Sequence, residues 1–332
     1  MRLTMKMRLC VVAIGGAASI TSIAAQNPAT SPGAGLVVGS GNFFSPIVAN
    51  LEKAVAFYHD GLRLEVMGTP SNAVDNAPLR NMFGLPAAQL RWTVARPAGS
   101  RSGVEIVEIS GGGGKPLDRR ITDPGAMTLV MSTSDDLDQV AGGLKEHGGV
   151  IVSAPGKPDA GGRARLLVAR DPDDHFVQLL RVSPTAMPQP PRIRLTVRSV
   201  DQSVALYRDA LGLRPSAGSP VSDGVLMTAL GIARGGASTS VLAVPGSGLV
   251  IEFIEFTTNS RKVEGHIQDP GSTRLQLQVR DLDAAIQAVV RAGGHVVSSG
   301  GQPVELPGGR GGSIKAAIVQ DPDNLFLVLI QA

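Results

Sequence analysis

An α+β fold made of two tandem copies of one module is what this sequence of 332 residues predicts. Two observations carry the prediction. The first is a set of landmarks that recur in one order. Tyr58 and Tyr207 stand 149 residues apart, Asp123-Pro124-Gly125 and Asp269-Pro270-Gly271 146 apart, and Asp171-Pro172-Asp173 and Asp321-Pro322-Asp323 150 apart. The apolar VEIVEI of Val104–Ile109 likewise returns as the VIEFIEF of Val250–Phe256. Four ordered landmarks mark an internal duplication, with a module of roughly 140 residues, an ordinary domain size. The second observation is a weaker repeat inside each module. Ser134–Gly149 and Arg280–Gly294 are again acid-capped helices behind an apolar strand, so each module is two strand–helix–strands units.

Taken in order, the first 25 residues read as a signal peptide. Arg2, Lys6 and Arg8 form a basic segment, Leu9–Ala25 is apolar and small, and Ser22–Ala25 offers a cleavage site. Cleavage would remove Cys10, the chain's one cysteine, and with it every thiolate ligand or nucleophile. Residues 26–41, rich in glycine, read as a flexible tether. Asn42–Val48 is the first strand, Asn50 caps a helix Leu51–His59, and Leu62–Met67 returns as a strand. Thr69–Gln89 is irregular and placed over the mouth of the fold. Leu90–Ala95 and Gly103–Ile109 are strands, and Gly111–Gly114 between elements reads as a flexible hairpin or lid. It opens no helix and so makes no phosphate loop. Met127–Thr133, the helix Leu137–His147, and strands Val150–Ser153, Ala164–Ala169 and Phe176–Arg181 complete the module, domain 42–183. A proline-rich linker, 184–191, leads to the second module, 192–332. There Ile193, Leu195 and Val197 alternate as a half-buried strand, Ser199 and Gln202 have capping-box spacing, and Val200, Val204, Tyr207 and Leu211 share one helical stripe. Gly300–Gly312 matches Ala154–Gly162 as a loop near the rim.

These residues resemble the vicinal oxygen chelate (VOC) superfamily, which includes glyoxalase I, bleomycin-resistance proteins and extradiol dioxygenases. The carrying motifs are Val48–Leu64 with its copy Val197–Leu213, Val279–Asp283, and the tails Asp171–Leu179 and Asp321–Leu329. The resemblance runs from Asn42 onward. It implies that each module pairs its two βαβββ units into a curled, open half-barrel cup with helices outside.

The resemblance also implies a metal held by one side chain from each of four strands, two histidines and two carboxylates. The matching positions are Phe43 and Arg192 in the first strands, Glu105 and Glu252 in the fourth, Thr128 and Arg274 in the fifth, and Gln178 and Val328 in the eighth. No histidine lies in any of these strands, so the expected metal set is absent and no cofactor is expected. Strand alternation then places Arg192, Arg194, Arg274, Gln276, Gln278 and Glu252 in one cup, made by module two. Glu105 and Gln178 belong to the other cup, and Trp92 is read as core or cup wall rather than ligand platform. Two readings of the arginines stay open: a salt-bridged structural network with Glu252 and Glu255, or a site in which spare guanidiniums grip a carboxylate or phosphate.

Composition narrows the partners. Without Arg2, Lys6 and Arg8 the chain holds 28 basic against 28 acidic residues, which leaves no basic excess for nucleic acid, and 3% aromatics leaves little base-stacking surface. The expected protein is exported, periplasmic or secreted, with no membrane span after cleavage, and is a monomeric pseudo-dimer or a homodimer. It binds a small organic molecule, an anion in one reading, without a metal. The alternative is a metal-dependent enzyme of glyoxalase or dioxygenase type.

Overall fold

The computed structural model describes residues 35–97, 100, 103–153, 166–186, 192–216, 223–232, 236–257, 261–308 and 312–332. The expected signal peptide lies outside them, as does most of the linker. A short strand, β1 (Val37–Ser40), opens the described chain. Unit one then runs β2 (Ser45–Val48), α1 (Leu51–Ala56) with a π-helical turn at Phe57–Gly61, β3 (Glu65–Val66), α2 (Ala77–Phe83), β4 (Gln89–Arg96) and β5 (Val104–Ser110). Unit two is β6 (Met127–Thr133), α3 (Leu137–Glu146), β7 (Val150–Ile151), β8 (Leu166–Arg170) and β9 (Phe176–Arg181). Unit three repeats unit one: β10 (Arg192–Thr196), α4 (Val200–Val204) with a π-helical turn at Ala205–Ala210, β11 (Arg214–Pro215), α5 (Asp223–Ala229), β12 (Ala237–Ala243) and β13 (Val250–Phe256). Unit four is β14 (Thr273–Val279), α6 (Leu282–Arg291), β15 (His295–Val296), β16 (Val304–Pro307), β17 (Ser313–Gln320) and β18 (Phe326–Gln331).

The helices begin where the sequence places their caps. The Asn50 side chain accepts the Lys53 N–H at 2.8 Å, Ser199 accepts that of Gln202 at 3.3 Å, and Asp281 accepts that of Ala284 at 2.9 Å.

The pairing of units differs from the expectation. Each module was expected to fold its own two units into one cup. Instead one sheet runs β15-β17-β18-β14-β2-β5-β4-β3, joining unit four to unit one, and the other runs β11-β12-β13-β10-β6-β9-β8-β7, joining unit three to unit two. The seams are antiparallel: Arg274 lies opposite Ser45 where β14 meets β2, and Arg194 opposite Thr128 where β10 meets β6. Both cups, here the 1–4 cup and the 2–3 cup, are therefore composites of the two modules. Each seam protects an edge. Strands β2 and β6 would each present an open edge inside an isolated unit, and the partner unit from the other module covers it.

The tether also differs. Its last residues form β1, which pairs with β14 and buries Val37 in the core. The stretch read as irregular before β4 contains α2. Asn76 caps it by accepting the Leu79 N–H at 2.8 Å, and Gly84 ends it in the left-handed region at φ 67°. Gly111–Gly114 is no lid: a Cβ on Gly114 would lie 2.2 Å from the Gln268 carbonyl, so the glycines let this strand end press against the second module. The loop expected near the rim at Gly300–Gly312 contains β16.

Alternation sorts the side chains as the sequence indicates. Ile193, Leu195, Val197, Leu275, Leu277 and Val279 join one continuous core with Leu51, Leu137, Leu206 and Leu282 from the helices. The intervening residues turn to the concave faces. Each cup holds a smaller apolar cluster, one including Met82, Phe83, Leu90 and Val107 from unit one, the other Phe176, Leu226, Met227 and Ile254.

Candidate functional site

The two concave faces hold homologous floors with different contents. The repeat offset that takes Tyr58 to Tyr207 also takes Ser45 to Arg194, so these two residues, not Phe43 and Arg192, occupy the first-strand floor position. Phe43 belongs to the helix-side core instead.

In the 2–3 cup, Arg194 is the centre. Its Nη2 donates to Glu252 Oε2 at 3.1 Å and its Nη1 donates to Gln178 Oε1. Arg192 adds a longer ion pair to the same Glu252 oxygen, 3.6 Å, from a more exposed place. Arg194 is 1% exposed and Glu252, Gln178 and Thr128 no more than that. The cation is thus desolvated and held by a charge and an amide together, the only way such burial is tolerable. Glu255, expected as a partner for an arginine, faces the helix side and accepts the Val200 N–H at 3.0 Å, at the first residue of α4. Glu108 does the same for Leu51 at 2.8 Å in the 1–4 cup.

In the 1–4 cup the guanidinium comes from the other central strand. Arg274 Nη2 donates to Glu105 Oε2 at 3.1 Å, Gln276 Nε2 to the same oxygen at 2.6 Å, and Ser45 Oγ at 3.4 Å. Burial pulls the Arg274 pKa below its ordinary value, opposed by the charge and hydrogen bond of Glu105. The Arg274 Nε–H has no hydrogen-bond partner among the described residues, and the guanidinium carbon stands 4.9 Å over the Phe83 ring. Gln276 Oε1 accepts the Asn42 N–H at 3.0 Å, which closes that end of the floor. Gln278 lies under β1, with its amide oxygen against Gly39, rather than in the cup.

Above this floor lies a small pocket of about 20 Å³ that opens to solvent. Helix α2 supplies Leu79, Met82 and Phe83 to its roof, and Leu90, Trp92, Val107 and Val328 supply the walls. The roof is tied to the other module: Ser298 Oγ donates to the Met82 carbonyl at 2.8 Å, and Gly84 sits where a Cβ would meet the Val297 carbonyl at 2.4 Å. Trp92 is therefore cup wall, one of the two readings left open for it.

The predicted site residues are thus divided rather than gathered. Arg192, Arg194, Glu252 and Gln178 share the 2–3 cup, and Arg274, Gln276, Glu105 and Trp92 share the 1–4 cup. The expected single cavity of three arginines does not form, because the units pair across modules. Within each cup a guanidinium is already joined to its carboxylate. Sequence reasoning missed the α2 roof, whose signal was Asn76, Pro78 and Gly84 at cap, first-turn and stop positions.

The metal implied by the resemblance does not fit these residues. Ser45, Glu105, Arg274 and Val328 stand in one cup, and Arg194, Glu252, Thr128 and Gln178 in the other. Each offers one carboxylate and one fixed positive charge, and a guanidinium has no lone pair to give and repels a cation. Among the described residues no cluster of three or more His, Cys, Asp or Glu side chains could hold a metal.

The family model for the Glyoxalase/Bleomycin resistance protein/Dioxygenase superfamily matches residues 42–179 and 189–329. Among solved structures, the chain is similar to glyoxalase I from Zea mays, with 19% identity over 87% of this chain and 92% of that one and a TM-score of 0.56. A point mutant of the same maize enzyme aligns at 20% identity, 88% and 94% coverage and a TM-score of 0.56. A putative dioxygenase from Bacillus subtilis subsp. subtilis str. 168 aligns at 12% identity, 90% and 86% coverage and a TM-score of 0.50. At such identities the likeness is one of fold. No curated protein matches.

Proposed function

We propose that this chain, which belongs to the Glyoxalase/Bleomycin resistance protein/Dioxygenase superfamily, binds a small organic molecule in its 1–4 cup without using a metal. The observation that carries the reading is a buried Glu105–Arg274 pair at the floor of a largely apolar cavity with a mouth. An apolar wall with a few convergent polar groups is the usual make-up of a small-molecule site. The 2–3 cup serves as scaffold in this reading: its arginine is engaged by both Glu252 and Gln178, and its polar floor is sealed.

The sole tryptophan, Trp92, stands in the cavity wall and reports on the site directly. Compounds that enter the cup are expected to change its fluorescence, and Val328→Phe, which fills the cavity, is expected to remove the response while leaving the fold's circular dichroism intact. Elemental analysis of the same protein is expected to find no stoichiometric zinc, nickel, manganese or iron. Tight one-to-one metal that is lost on Glu105→Ala would end the metal-independent reading.

Export completes the proposal, supported by the basic, apolar and small-residue segments in order at the N-terminus. Protein recovered from a periplasmic or secreted fraction is then expected to begin near Ala25–Asn27 on N-terminal sequencing. Full-length chain beginning at Met1 in that fraction would contradict it.

A further inference from the structure

We infer that helix α2 is the gate of the 1–4 cup: closed, it fills the cup, and it swings outward with residues 75–88 to admit a ligand. The inference rests on the proposed binding role of that cup and adds the step by which the cup is entered. Three observations lead to it. The first is that α2 stands where an occupant would. Leu79, Met82 and Phe83 lie on one helical stripe, turn inward and are 5%, 2% and 2% exposed. They pack with Leu90, Val107 and Val328, and the pocket of about 20 Å³ left among these residues holds about one water. The other walls are strands fixed by their ladders, so a ring-sized molecule enters only when α2 leaves.

The second observation is a neck. The Val74 N–H donates to the Leu90 carbonyl at 2.8 Å and the Leu90 N–H to the Val74 carbonyl at 3.1 Å, so the chain leaves the sheet and rejoins it at one point. Just before the neck, the N–H groups of Met67 and Ser71 donate to the Val94 and Trp92 carbonyls at 2.8 and 2.9 Å. Residues 75–88 therefore form a compact surface loop with adjoining ends, the shape of an Ω-loop, and can move while β4 stays in place.

The third observation is how little polar bonding holds this loop down. Its own bonds are internal: Asn76 caps α2, the Leu85 N–H donates to the Arg80 carbonyl at 2.9 Å, and Arg80 pairs with Asp75. Among the described residues one hydrogen bond joins the loop to the rest of the chain, the 2.8 Å bond from Ser298 Oγ to the Met82 carbonyl. Ser298 is itself fixed by accepting the Ile318 N–H at 2.9 Å, so module two holds the latch. Outward movement strands no backbone group, because the Met82 carbonyl exchanges Ser298 for water. It breaks apolar contacts, which the apolar surface of an entering molecule restores. Phe83 stands over Arg274, so the same movement uncovers the Glu105–Arg274 floor.

The test uses two neighbours on β18 that face opposite ways. Val328 lies under α2 and Leu329 in the helix-side core, and they are 1% and 0% exposed. Each is replaced by cysteine in the full chain, with Cys10→Ser removing the native thiol. Labelling by the ring-sized reagent dithiobis-nitrobenzoate is followed in low urea without any ligand. The thiol of Val328→Cys is expected to react at least tenfold faster than that of Leu329→Cys and with a shallower urea dependence, since local opening exposes less surface than global unfolding. Leu79→Ala and Ser298→Ala, which weaken only the closed position of α2, are each expected to speed the Val328→Cys reaction about fivefold or more. Leu144→Ala, in the helix-side core, is expected to speed the Leu329→Cys reaction alone. Equal rates with the full urea slope would make α2 a fixed roof and overturn the gate. A fast Val328→Cys reaction indifferent to Leu79→Ala and Ser298→Ala would overturn it too, because the reagent would be passing α2 by. Since no ligand takes part, the binding reading is judged separately by the Trp92 titration: a Trp92 response with α2 shut would end the gate and leave that reading standing.

Discussion

Arg194→Met is expected to lower the unfolding free energy by about 3–5 kcal/mol, the usual effect of removing one partner from a buried ion pair. The methionine fills much of the same volume, so packing is nearly conserved. What changes is Glu252, left fully buried with its charge unmatched except for Arg192 at 3.6 Å. Out of a total stability of roughly 5–15 kcal/mol this is a large share. Arg192→Met provides the comparison: that pair is longer and the arginine side chain is 20% exposed, so its loss is expected to cost about 1 kcal/mol or less. Adding Glu252→Gln to Arg194→Met should recover much of the loss, because a neutral amide replaces the stranded carboxylate. With the Glu252→Gln single variant added, urea midpoints with unchanged slopes would measure all five proteins, and the double-mutant cycle gives the coupling. A single Arg194→Met within about 0.5 kcal/mol of the unmodified protein would show that Glu252 is not held by this guanidinium.

That pair also shows what the sequence made legible and what it did not. The alternation in Ile193–Val197 and Thr273–Val279 placed each arginine on the concave face, because a strand has a fixed period of two and the helix side needs the apolar set. The duplication placed the four units, because Tyr58, Tyr207 and the two Asp-Pro-Asp turns recur in order. Alternation says nothing, however, about which unit pairs with which. Any pairing of the units keeps the same alternation in the seam strands, so the pattern does not choose between them. The choice depends on long-range edge matching that no local period encodes. Placing Arg194 and Arg274 in one cavity followed from assuming that each module closes on itself. The first-strand floor position was read two residues early, at Phe43, which precedes β2 and so falls outside that strand's alternation. Helix α2 was hidden by the prolines around it, which argued for a loop. Only the Asn76–Gly84 spacing told against that.

Substitution of His175 is expected to move the pH range in which the fold loses stability. His175 lies in the Asp-Pro-Asp turn of module one and is 1% exposed. Its Nδ1 stands 2.9 Å from an Asp171 carboxylate oxygen and its Nε2 3.1 Å from the Ser272 carbonyl. Both partners only accept, so both ring nitrogens must donate, and the ring is an imidazolium. Burial alone would lower its pKa, but the charge and hydrogen bond of Asp171 outweigh burial, helped by Asp173 and the Ser272 carbonyl, and the net direction is up. Tyr58 donates to the same Asp171 at 3.1 Å, and the Phe44 ring meets the imidazole edge-on at 6.4 Å. Module two is an internal control. Its matching residue is Leu325, Tyr207 donates to Asp321 at 2.8 Å, and burial followed by the Asp323 charge pushes the Asp321 pKa up to about 6. A histidine pKa raised in the folded state contributes stability that is whole below its unfolded value near 6.5 and disappears as pH rises through the folded value. His175→Leu should abolish that alkaline loss, which can reach about 1.4 kcal/mol per pH unit. It should also give Asp171 the surroundings of Asp321. An acid whose pKa is raised loses stability as pH climbs from its unfolded value, near 3.9, to its folded one. The variant is therefore expected to lose extra stability between about pH 4 and 6 and to run flatter than the unmodified protein above about 6.5. Denaturant midpoints from acid to mildly alkaline pH would give the difference curve, in which the other four histidines cancel. Ring nitrogen chemical shifts should show His175 doubly protonated at neutral pH. Parallel curves above pH 6.5 would mean that the ring is neutral in the folded protein, and one of its two hydrogen bonds would then have to be surrendered.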